Sequence, residues 1–417
     1  MTTVAVVGGG ASGVLAAVEA SRFGCQVCLY EAGPRVLKKV LASGNGRCNF
    51  TNSDIMPSDY NRPEFVAEAM NCVTPEDVMR YFADLGLLAF EEEEGRVYPY
   101  SGKATTVVDL LLWALEEAGV DVHTSTRVIQ VRPAASDSPG NRQGWDVLTE
   151  GQEGSRESVS FDRVVMSVGG APDASLVPED VKYIRTSPVL CALKTDTDNL
   201  KGLSGIKVRA RVYLDEDPTD LQDAWLDVVD PEFEADYCGP EEYGEVLFRD
   251  YGVSGIAVFN MSRLVRPGQM VFLDLLCDLD PQAKVDFIWD QSMAHPDRSI
   301  HQVLSGALPS RLARNVIVAA GLNPDEPIIA EEEAVVLAMV CESFGLKVKG
   351  VADPKQAQVT RGGWAVKGFI PQTMESKKHP GLFATGEALD VDGKCGGYNL
   401  HWAWTSGIIA GRSAAQG

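Results

Sequence analysis

The first residues that could do chemistry form a glycine-rich turn near the start of the chain. Gly8, Gly10 and Gly13 make a G-x-G-x-x-G pattern between an apolar segment and an Ala-rich segment. In a strand–turn–helix unit, the first glycine allows the tight turn, the second lets a pyrophosphate approach the backbone, and the third allows helix and strand to pack closely. Glu31 follows Gly13 by 18 residues, the spacing of a carboxylate that accepts hydrogen bonds from both hydroxyls of a ribose. The pattern therefore predicts a dinucleotide without a 2′-phosphate, held by Gly8, Gly10, Ala11, Ser12, Gly13, Glu31 and Ala32.

The far end of the chain indicates which dinucleotide this is. A strand-like segment, 381–385, ends on Gly386 and Glu387. Flavoproteins of the glutathione-reductase type close their FAD site with a similar element, and this resemblance favours FAD over NAD. The glycine-rich segment 393–399 then precedes a helix whose amide groups could face the flavin edge that gains negative charge on reduction. We therefore expect further FAD contacts at Gly386, Glu387, Gly396, Gly397, Tyr398 and Asn399.

A longer motif lies between these two ends. Residues 38–52 read K-K-V-L-A-S-G-N-G-R-C-N-F-T-N. They resemble the K-x-x-x-S/T-G-x-G-R/K-C-N-x-T-N signature of the BaiN-like (YhiN-like) NAD(P)/FAD-dependent oxidoreductase family, which includes aminoacetone oxidases and 3-dehydro-bile-acid reductases. The resemblance recurs at 95–101, 251–255 and 373–404, so it covers most of the chain.

The family resemblance implies a fold and a set of contacts. The fold class is α/β, an FAD-binding Rossmann-like domain of the glutathione-reductase type with an inserted β-barrel-like domain and a small helical insert. The additional FAD contacts implied by the resemblance are Lys39, Ser43, Gly44, Asn45, Asn49, Val128 and Gly169.

Few side chains stand out as catalytic candidates, as expected where a flavin carries the hydride chemistry and the protein supplies position and electrostatics. Arg47 is a candidate to stabilise an anionic reduced flavin, Cys48 for a thiol role, and Tyr398 to donate a proton to the substrate. The Cys25-x-x-Cys28 spacing resembles a redox pair, but it enters an apolar strand where cysteine acts as a small hydrophobic residue. His401 lies among tryptophans and is interpreted as a core residue. The sequence predicts no metal site.

Composition limits the partners. The 417 residues carry 37 Lys and Arg against 59 Asp and Glu, a formal net charge of −22. Counterion release from nucleic acid needs clustered basic residues, so this balance argues against nucleic-acid and anionic-membrane partners. No apolar run approaches the length of a membrane span, the start of the chain shows no secretory signal, and nine scattered cysteines suit a reducing compartment. We expect a cytoplasmic protein with a small-molecule substrate, and the sequence does not indicate an oligomeric state.

Periodicity suggests three domains. A β-α-β pattern opens the chain, β-type alternation dominates 188–280, helical periodicity follows to 345, and a helix over about 399–415 ends it. The predicted division is a split FAD-binding domain (1–187 and 363–417), a β-barrel-like domain (188–280 and 346–362) and a helical insert (281–345).

Three functions remain open at this stage, whereas a fourth, a flavoprotein that modifies RNA, is disfavoured by the net charge of −22 and the lack of a Lys/Arg-rich stripe. An FAD reductase would take hydride from NADH or NADPH and deliver it to an activated double bond or carbonyl. An amine oxidase, similar to the aminoacetone oxidases, would pass electrons to oxygen. A flavin-binding redox sensor would turn over no substrate. A single G-x-G-x-x-G motif leaves no second Rossmann domain for the nicotinamide, which would then dock only transiently.

Overall fold

The computed structural model describes residues 1–134, 144–151, 154–170, 172–214 and 239–416. Numbered in chain order, the described strands are β1 Thr3–Val7, β2 Gln26–Tyr30, β3 Thr51–Asn52, β4 Ala89–Glu91, β5 Arg96–Pro99, β6 Asp121–His123, β7 Arg127–Pro133, β8 Trp145–Glu150, β9 Arg156–Phe161, β10 Arg163–Met166, β11 Tyr183–Val189, β12 Leu193–Thr195, β13 Lys207–Tyr213, β14 Glu241–Arg249, β15 Gly252–Ser254, β16 Met270–Asp274, β17 Phe344–Val351, β18 Val359–Trp364 and β19 Leu382–Ala384. The described α-helices are α1 Ala11–Arg22, α2 Lys38–Ala42, α3 Pro63–Met70, α4 Pro75–Asp84, α5 Ala104–Glu117, α6 Ile256–Met261, α7 Pro281–Ala294, α8 Ile300–Leu304, α9 Ser310–Ala319, α10 Glu331–Glu342 and α11 Tyr398–Gln416.

The chain forms two compact units, 1–187 with 359–417 and 188–358. β18 begins at Val359 and lies in the first unit, before the boundary that the sequence suggests at 363. The three-part division with a separate helical domain stays a prediction.

A parallel sheet organises the first unit. Its strand order is β19-β10-β1-β2-β6, and all four strand pairs are parallel. β10 is buried along its whole length, as expected of a strand covered on both faces. From β1 the chain builds toward β2 and β6 on one side, and later adds β10 and β19 on the other. Ligands bind at such a switch point, beyond the carboxyl ends of the strands.

Two helices pack on one another at very close range in this unit. Gly407 and Gly411 of α11 face the backbone of α1, where a Cβ would lie 2.4 Å from the Ser12 carbonyl oxygen and 2.5 Å from that of Ala16. Larger residues at these positions would push the helices apart. The i, i+4 spacing of these two glycines is the sequence feature that allows this close approach.

Local signals account well for the helix ends. The Thr74 side chain accepts a hydrogen bond from the Asp77 N–H, and Asp77 bonds back to the Thr74 N–H, a capping box at the start of α4. Gly86, just after that helix, has φ +90°, the left-handed backbone that glycine adopts without steric cost.

The second unit contains a closed barrel of six antiparallel strands, in the order β12-β15-β14-β13-β16-β17. The helices α7 to α10 lie between β16 and β17 in the chain. The fold class predicted from the sequence, a Rossmann-like domain with an inserted β-barrel and a helical insert, is confirmed. Among the residues that the structure describes, no helix is both long and apolar enough to cross a bilayer.

Candidate functional site

The three glycines of the G-x-G-x-x-G turn meet different surroundings. Gly8 has φ +105°, and a Cβ there would lie 2.3 Å from the Ser167 carbonyl oxygen. A Cβ on Gly13 would lie 1.9 Å from the Gly8 oxygen. Gly10, by contrast, has no heavy atom within 4 Å of its Cβ position. The fold itself thus requires the first and third glycines, whereas the second borders open space of the kind that a ligand could occupy.

The start of α1 faces this open space with unused donors. No side chain caps the helix, and the first intrahelical bond runs from the Val14 N–H to the Gly10 oxygen. The N–H groups of Ala11, Ser12 and Gly13 therefore have no acceptor within the helix. Such N–H groups, at the positive end of a helix dipole, favour a phosphate.

Glu31 stands at the carboxyl end of β2 and orders the glycine turn. Its Oε2 accepts a hydrogen bond from the Gly9 N–H at 2.8 Å, and its Oε1 accepts one from the Gly33 N–H at 2.6 Å. Each carboxylate oxygen has lone pairs for a further donor, so ribose hydroxyls remain acceptable partners. Ala32 is exposed beside it, and Val128 on β7 is 7% exposed.

Glu387 joins the ends of two other strands. Its Oε2 accepts hydrogen bonds from the Gly170 N–H at 3.2 Å and the Lys39 Nζ at 3.4 Å, and its Oε1 accepts one from the Thr360 N–H at 2.8 Å. Gly169, with φ +75°, makes the turn after β10. The carboxyl ends of β10 and β19 and the helix α2 therefore converge on one carboxylate. Glu387 is one of the residues predicted from the sequence, whereas no sequence pattern marks its partner Thr360.

The loop 43–49 has an unusual backbone. Asn45 and Cys48 have φ +55° and +59°, and Gly44 has φ +55°. The side chain of Ser43 caps the preceding turn by donating to the Val40 oxygen at 2.6 Å. Non-glycine residues in left-handed conformations cost free energy and cluster at ligand sites.

Asn49 closes this loop with an unsatisfied group. The residue is 8% exposed, and among the described residues its Oδ1 has no hydrogen-bond partner. A Cβ on Gly397 would lie 3.0 Å from this oxygen and 2.3 Å from the Thr51 oxygen. Buried polar atoms are normally paired, so the orphaned oxygen, the space beside Gly10 and the free N–H groups of α1 together fit a bound dinucleotide such as FAD.

Side-chain hydrogen bonds from several residues hold the segment that leads into α11. The Asn399 Oδ1 accepts a hydrogen bond from the Gly393 N–H at 2.8 Å, and its Nδ2 donates to the Gly393 oxygen at 3.0 Å. Asn52 donates to the Gly396 oxygen at 3.1 Å, and Tyr60 donates its hydroxyl to the Tyr398 oxygen at 2.8 Å. The structure therefore brings the loop 43–52 and the turn 393–399 together. Tyr60, absent from the predicted site, lies at their junction.

Arg47 is held by Glu92 and Tyr98, two residues about 50 positions further along the chain. Its Nη2 lies 2.6 Å from the Glu92 Oε1, and its guanidinium lies 4.2 Å from the centre of the Tyr98 ring. The Arg47 hydrogen bond lowers the pKa of Glu92 below its usual range. The positive charge of Arg47 is therefore partly balanced by the carboxylate of Glu92.

Cys48 is fully buried, and burial raises the pKa of its thiol to about 12. Relative to an ordinary pKa of 9.0, the thiolate fraction falls on the order of a thousandfold. This environment disfavours a nucleophilic role.

Cys48 is expected to resist alkylation in the folded protein. Brief iodoacetamide treatment at pH 8 should modify exposed Cys72 and leave Cys48 unmodified, as read by peptide mass spectrometry. Treatment in urea is the control and should label both. Equal labelling of the two thiols in the native protein would contradict the burial argument.

His401 is completely buried on α11, as its interpretation as a core residue anticipated, and its Nδ1 lies 2.8 Å from the Thr51 Oγ1. Burial lowers the pKa of this imidazole from 6.5 to about 3. The folded protein therefore keeps it neutral at pH values where the unfolded chain protonates it.

This pKa difference predicts a loss of stability in acid. As the pH falls below about 6.5, the unfolded chain takes up a proton that the folded chain refuses until about pH 3, so the free energy of unfolding drops by about 1.4 kcal/mol per pH unit. The His401→Gln variant should lose about 2 kcal/mol less than the wild type between pH 6.5 and 5. Urea unfolding at both pH values measures the difference, and parallel pH profiles would refute the assignment.

Comparison with known proteins relates this site to others. The model of the family described as HI0933-like protein Rossmann domain matches residues 2–413. A 3-dehydro-bile acid delta(4,6)-reductase of Clostridium scindens is 29% identical, with 100% of each chain covered. A ribosomal RNA dihydrouridine synthase of Escherichia coli is 28% identical over 96% of this chain and 95% of the relative. Among solved structures, a flavocytochrome c3 fumarate reductase matches with a TM-score of 0.44 at 17% identity, covering 100% of this chain and 78% of the other.

The family match covers nearly the whole sequence. It confirms the predicted family and, with it, a flavin-dependent oxidoreductase rather than a sensor. Because one relative is named for ribosomal RNA, the acidic composition of this chain does not by itself exclude a nucleic-acid partner. The chain belongs to the HI0933-like family of FAD-dependent flavoproteins.

Proposed function

We propose that this protein is an FAD-dependent reductase that adds hydrogen across a carbon–carbon double bond conjugated to a carbonyl in a small organic molecule, with NADH or NADPH as the electron donor. One observation carries this proposal. Two relatives align over almost the whole chain. One is named a 3-dehydro-bile acid delta(4,6)-reductase, and the other is named a ribosomal RNA dihydrouridine synthase. Both names describe the same bond change, saturation of a double bond conjugated to a ring carbonyl.

We further propose which residues hold the cofactor. The N–H groups at the start of α1, with Gly10, would bind the pyrophosphate, Glu31 the ribose and Val128 the adenine side. When bound, the flavin supplies hydride transfer. The residues proposed to contact its ribityl chain and ring lie in α2, the loop 43–49, the turn 393–399 and the segments after β10 and β19. They are Lys39, Ser43, Gly44, Asn45, Asn49, Gly169, Gly386, Glu387, Gly396, Gly397, Tyr398 and Asn399.

The chain's own groups have definite tasks in this scheme. The helix α11 begins at Tyr398, directly after two glycines with φ +115° and +103°, so its partial positive charge favours an anion at that end. Arg47 adds a cation whose position is set by Glu92 and Tyr98. Tyr398 is the proposed proton donor to the substrate, since phenolic hydroxyls serve as general acids.

We propose a small molecule rather than RNA as the substrate. The net charge of −22 weakens the long-range attraction of the protein for a phosphate backbone. One relative is named for ribosomal RNA. Net charge describes the whole surface, and a local track of basic residues would be enough to bind RNA. The choice between a small molecule and RNA therefore needs a direct test.

Anaerobic mixing of the purified protein with NADH, NADPH or a primary amine, followed by a 3-oxo-4,6-diene steroid acid or unmodified ribosomal RNA, tests the proposal. The flavin band near roughly 450 nm should bleach with a nicotinamide and recover when the steroid is added. Bleaching by the amine alone would establish the oxidase instead. Recovery with RNA and not with the steroid would replace the small-molecule substrate, and no bleaching by any donor would overturn the reductase.

A further inference from the structure

A group of potential metal ligands lies on β2 and β6 of the parallel sheet, and none of its side chains is among those proposed to bind FAD. Cys28 of β2 pairs with Asp121 of the edge strand β6, and Tyr30 pairs with His123. Because side chains alternate along a strand, residues 28 and 30 share a face of the sheet with 121 and 123. The sulfur, the carboxylate oxygen and the ring nitrogen of Cys28, Asp121 and His123 all lie within 4.8 Å of one another.

The neighbours of these three groups hold them in place. The His123 Nε2 lies 2.9 Å from the Asp121 Oδ2, and the His123 ring stacks on Tyr30 with 5.1 Å between ring centres. The carbonyl of His123 accepts the Glu31 N–H at 2.9 Å, which ties the backbone of β6 to the end of β2. Cys28 is partly buried, whereas the side chains of Asp121 and His123 are 67% and 40% exposed. An ion could therefore reach the group from solvent without unfolding the sheet.

The donor types select one class of ion. Thiolate and imidazole are preferred by Zn²⁺ and similar borderline-soft cations, whereas Mg²⁺ and Ca²⁺ take oxygen ligands almost exclusively. Zn²⁺ accepts tetrahedral sites with three protein ligands and one water. Ligands at i and i+2 of one strand and on its neighbour can converge on one point above the sheet, as the short distances here indicate.

We propose that Cys28, Asp121 and His123 form a binding site for a thiophilic divalent cation of the Zn²⁺ class, which links the edge strand β6 to β2. From the sequence alone we predict no metal site and interpret Cys25 and Cys28 as small apolar residues of a strand. The pairing of β2 with β6 supplies the two other ligands, which lie about 90 residues further along the chain. The site uses none of the side chains assigned to the cofactor, so it stands or fails independently of the proposed function.

Calorimetric titration of ZnCl₂ into the flavin-loaded full-length protein, after treatment with chelator and reductant, tests the site. We expect binding of one Zn²⁺ that a large excess of Mg²⁺ does not displace. The Cys28→Ser variant should bind at least about tenfold more weakly, the smaller end of the range seen when the surroundings of metal ligands are altered. X-ray absorption at the zinc edge should show one sulfur neighbour at about 2.3 Å, a signal that the flavin does not affect.

The matched control is Cys72→Ser, which removes an exposed thiol outside the group. It should leave the zinc affinity unchanged. If Cys28→Ser does not fold, His123→Gln takes its place, with the same expected loss. Absence of binding, affinity unchanged in both ligand variants, or zinc bound without a sulfur neighbour would overturn the proposal.

Discussion

Replacing Gly10 by valine is expected to abolish FAD binding while the chain still folds. Gly10 has φ −81° and ψ −169°, which any residue can adopt, and no heavy atom lies within 4 Å of its Cβ position. The new side chain would therefore fill only the space proposed for the pyrophosphate. We expect FAD affinity to fall at least about 100-fold, or about 2.8 kcal/mol, and stability to fall by at most about 1 kcal/mol through a poorer helix N-cap. Flavin absorbance per chain and fluorescence titration measure the first effect, and urea unfolding of the FAD-free protein measures the second.

Two other glycines provide the comparison for this variant. Gly368 also has no heavy atom within 4 Å of its Cβ position and lies outside the proposed site, so Gly368→Val should retain FAD. Gly13→Ala would place its Cβ 1.9 Å from the Gly8 oxygen, so it should lose both FAD and stability. A Gly10→Val protein that still carries one FAD per chain would refute the proposed pyrophosphate position.

Removal of the Asp274 carboxylate is expected to destabilise the barrel unit strongly. Lys284 of α7 is 1% exposed, and its Nζ lies 2.9 Å from the Asp274 Oδ2 and 3.2 Å from the Glu342 Oε2. Burial raises the pKa of the Asp274 carboxyl, and the Lys284 charge opposes this rise and so favours the ionised carboxylate.

The Asp274→Ala variant leaves a buried ammonium with one acid and the Leu276 N–H without its acceptor at 3.0 Å. Breaking a buried ion pair from one side costs about 3–5 kcal/mol, and we expect the lower end because Glu342 remains. Urea unfolding followed by circular dichroism measures this loss. Adding Lys284→Met to Asp274→Ala should recover part of the stability, since it removes the buried ammonium that has lost one of its two acids.

An exposed ion pair in the same unit is the control. Arg314 and Asp325 are 49% and 70% exposed at a separation of 3.1 Å. Solvent-exposed pairs contribute little because water screens them, so Asp325→Ala should leave the unfolding midpoint unchanged. Similar losses from Asp274→Ala and Asp325→Ala would contradict the role of burial.

The local parts of the site could be predicted from sequence because short-range sterics specify them. Gly8 has a positive φ because the tight turn requires it. Thr74, Pro75 and Asp77 start a helix through hydrogen bonds and backbone preferences within the same turn. Motif spacing likewise indicated the β-α-β unit that ends on Glu31. The alternating residue types over 207–213 are typical of a half-buried strand, and β13 spans the same residues in the structure.

Only the tertiary structure decided which distant groups meet. Arg47 pairs with Glu92, Glu387 accepts from Thr360 and Gly170, and Cys28 lies beside Asp121. Nothing in the local pattern around any of these residues identifies its partner. Strand order, barrel closure and the close approach of α1 and α11 set those contacts, and they depend on how buried surfaces fit across the whole chain rather than on neighbouring residues. Sequence thus determined the cofactor class and the elements that carry it, while packing determined the charge partners, the burial of Cys48 and the ligands of the proposed metal site.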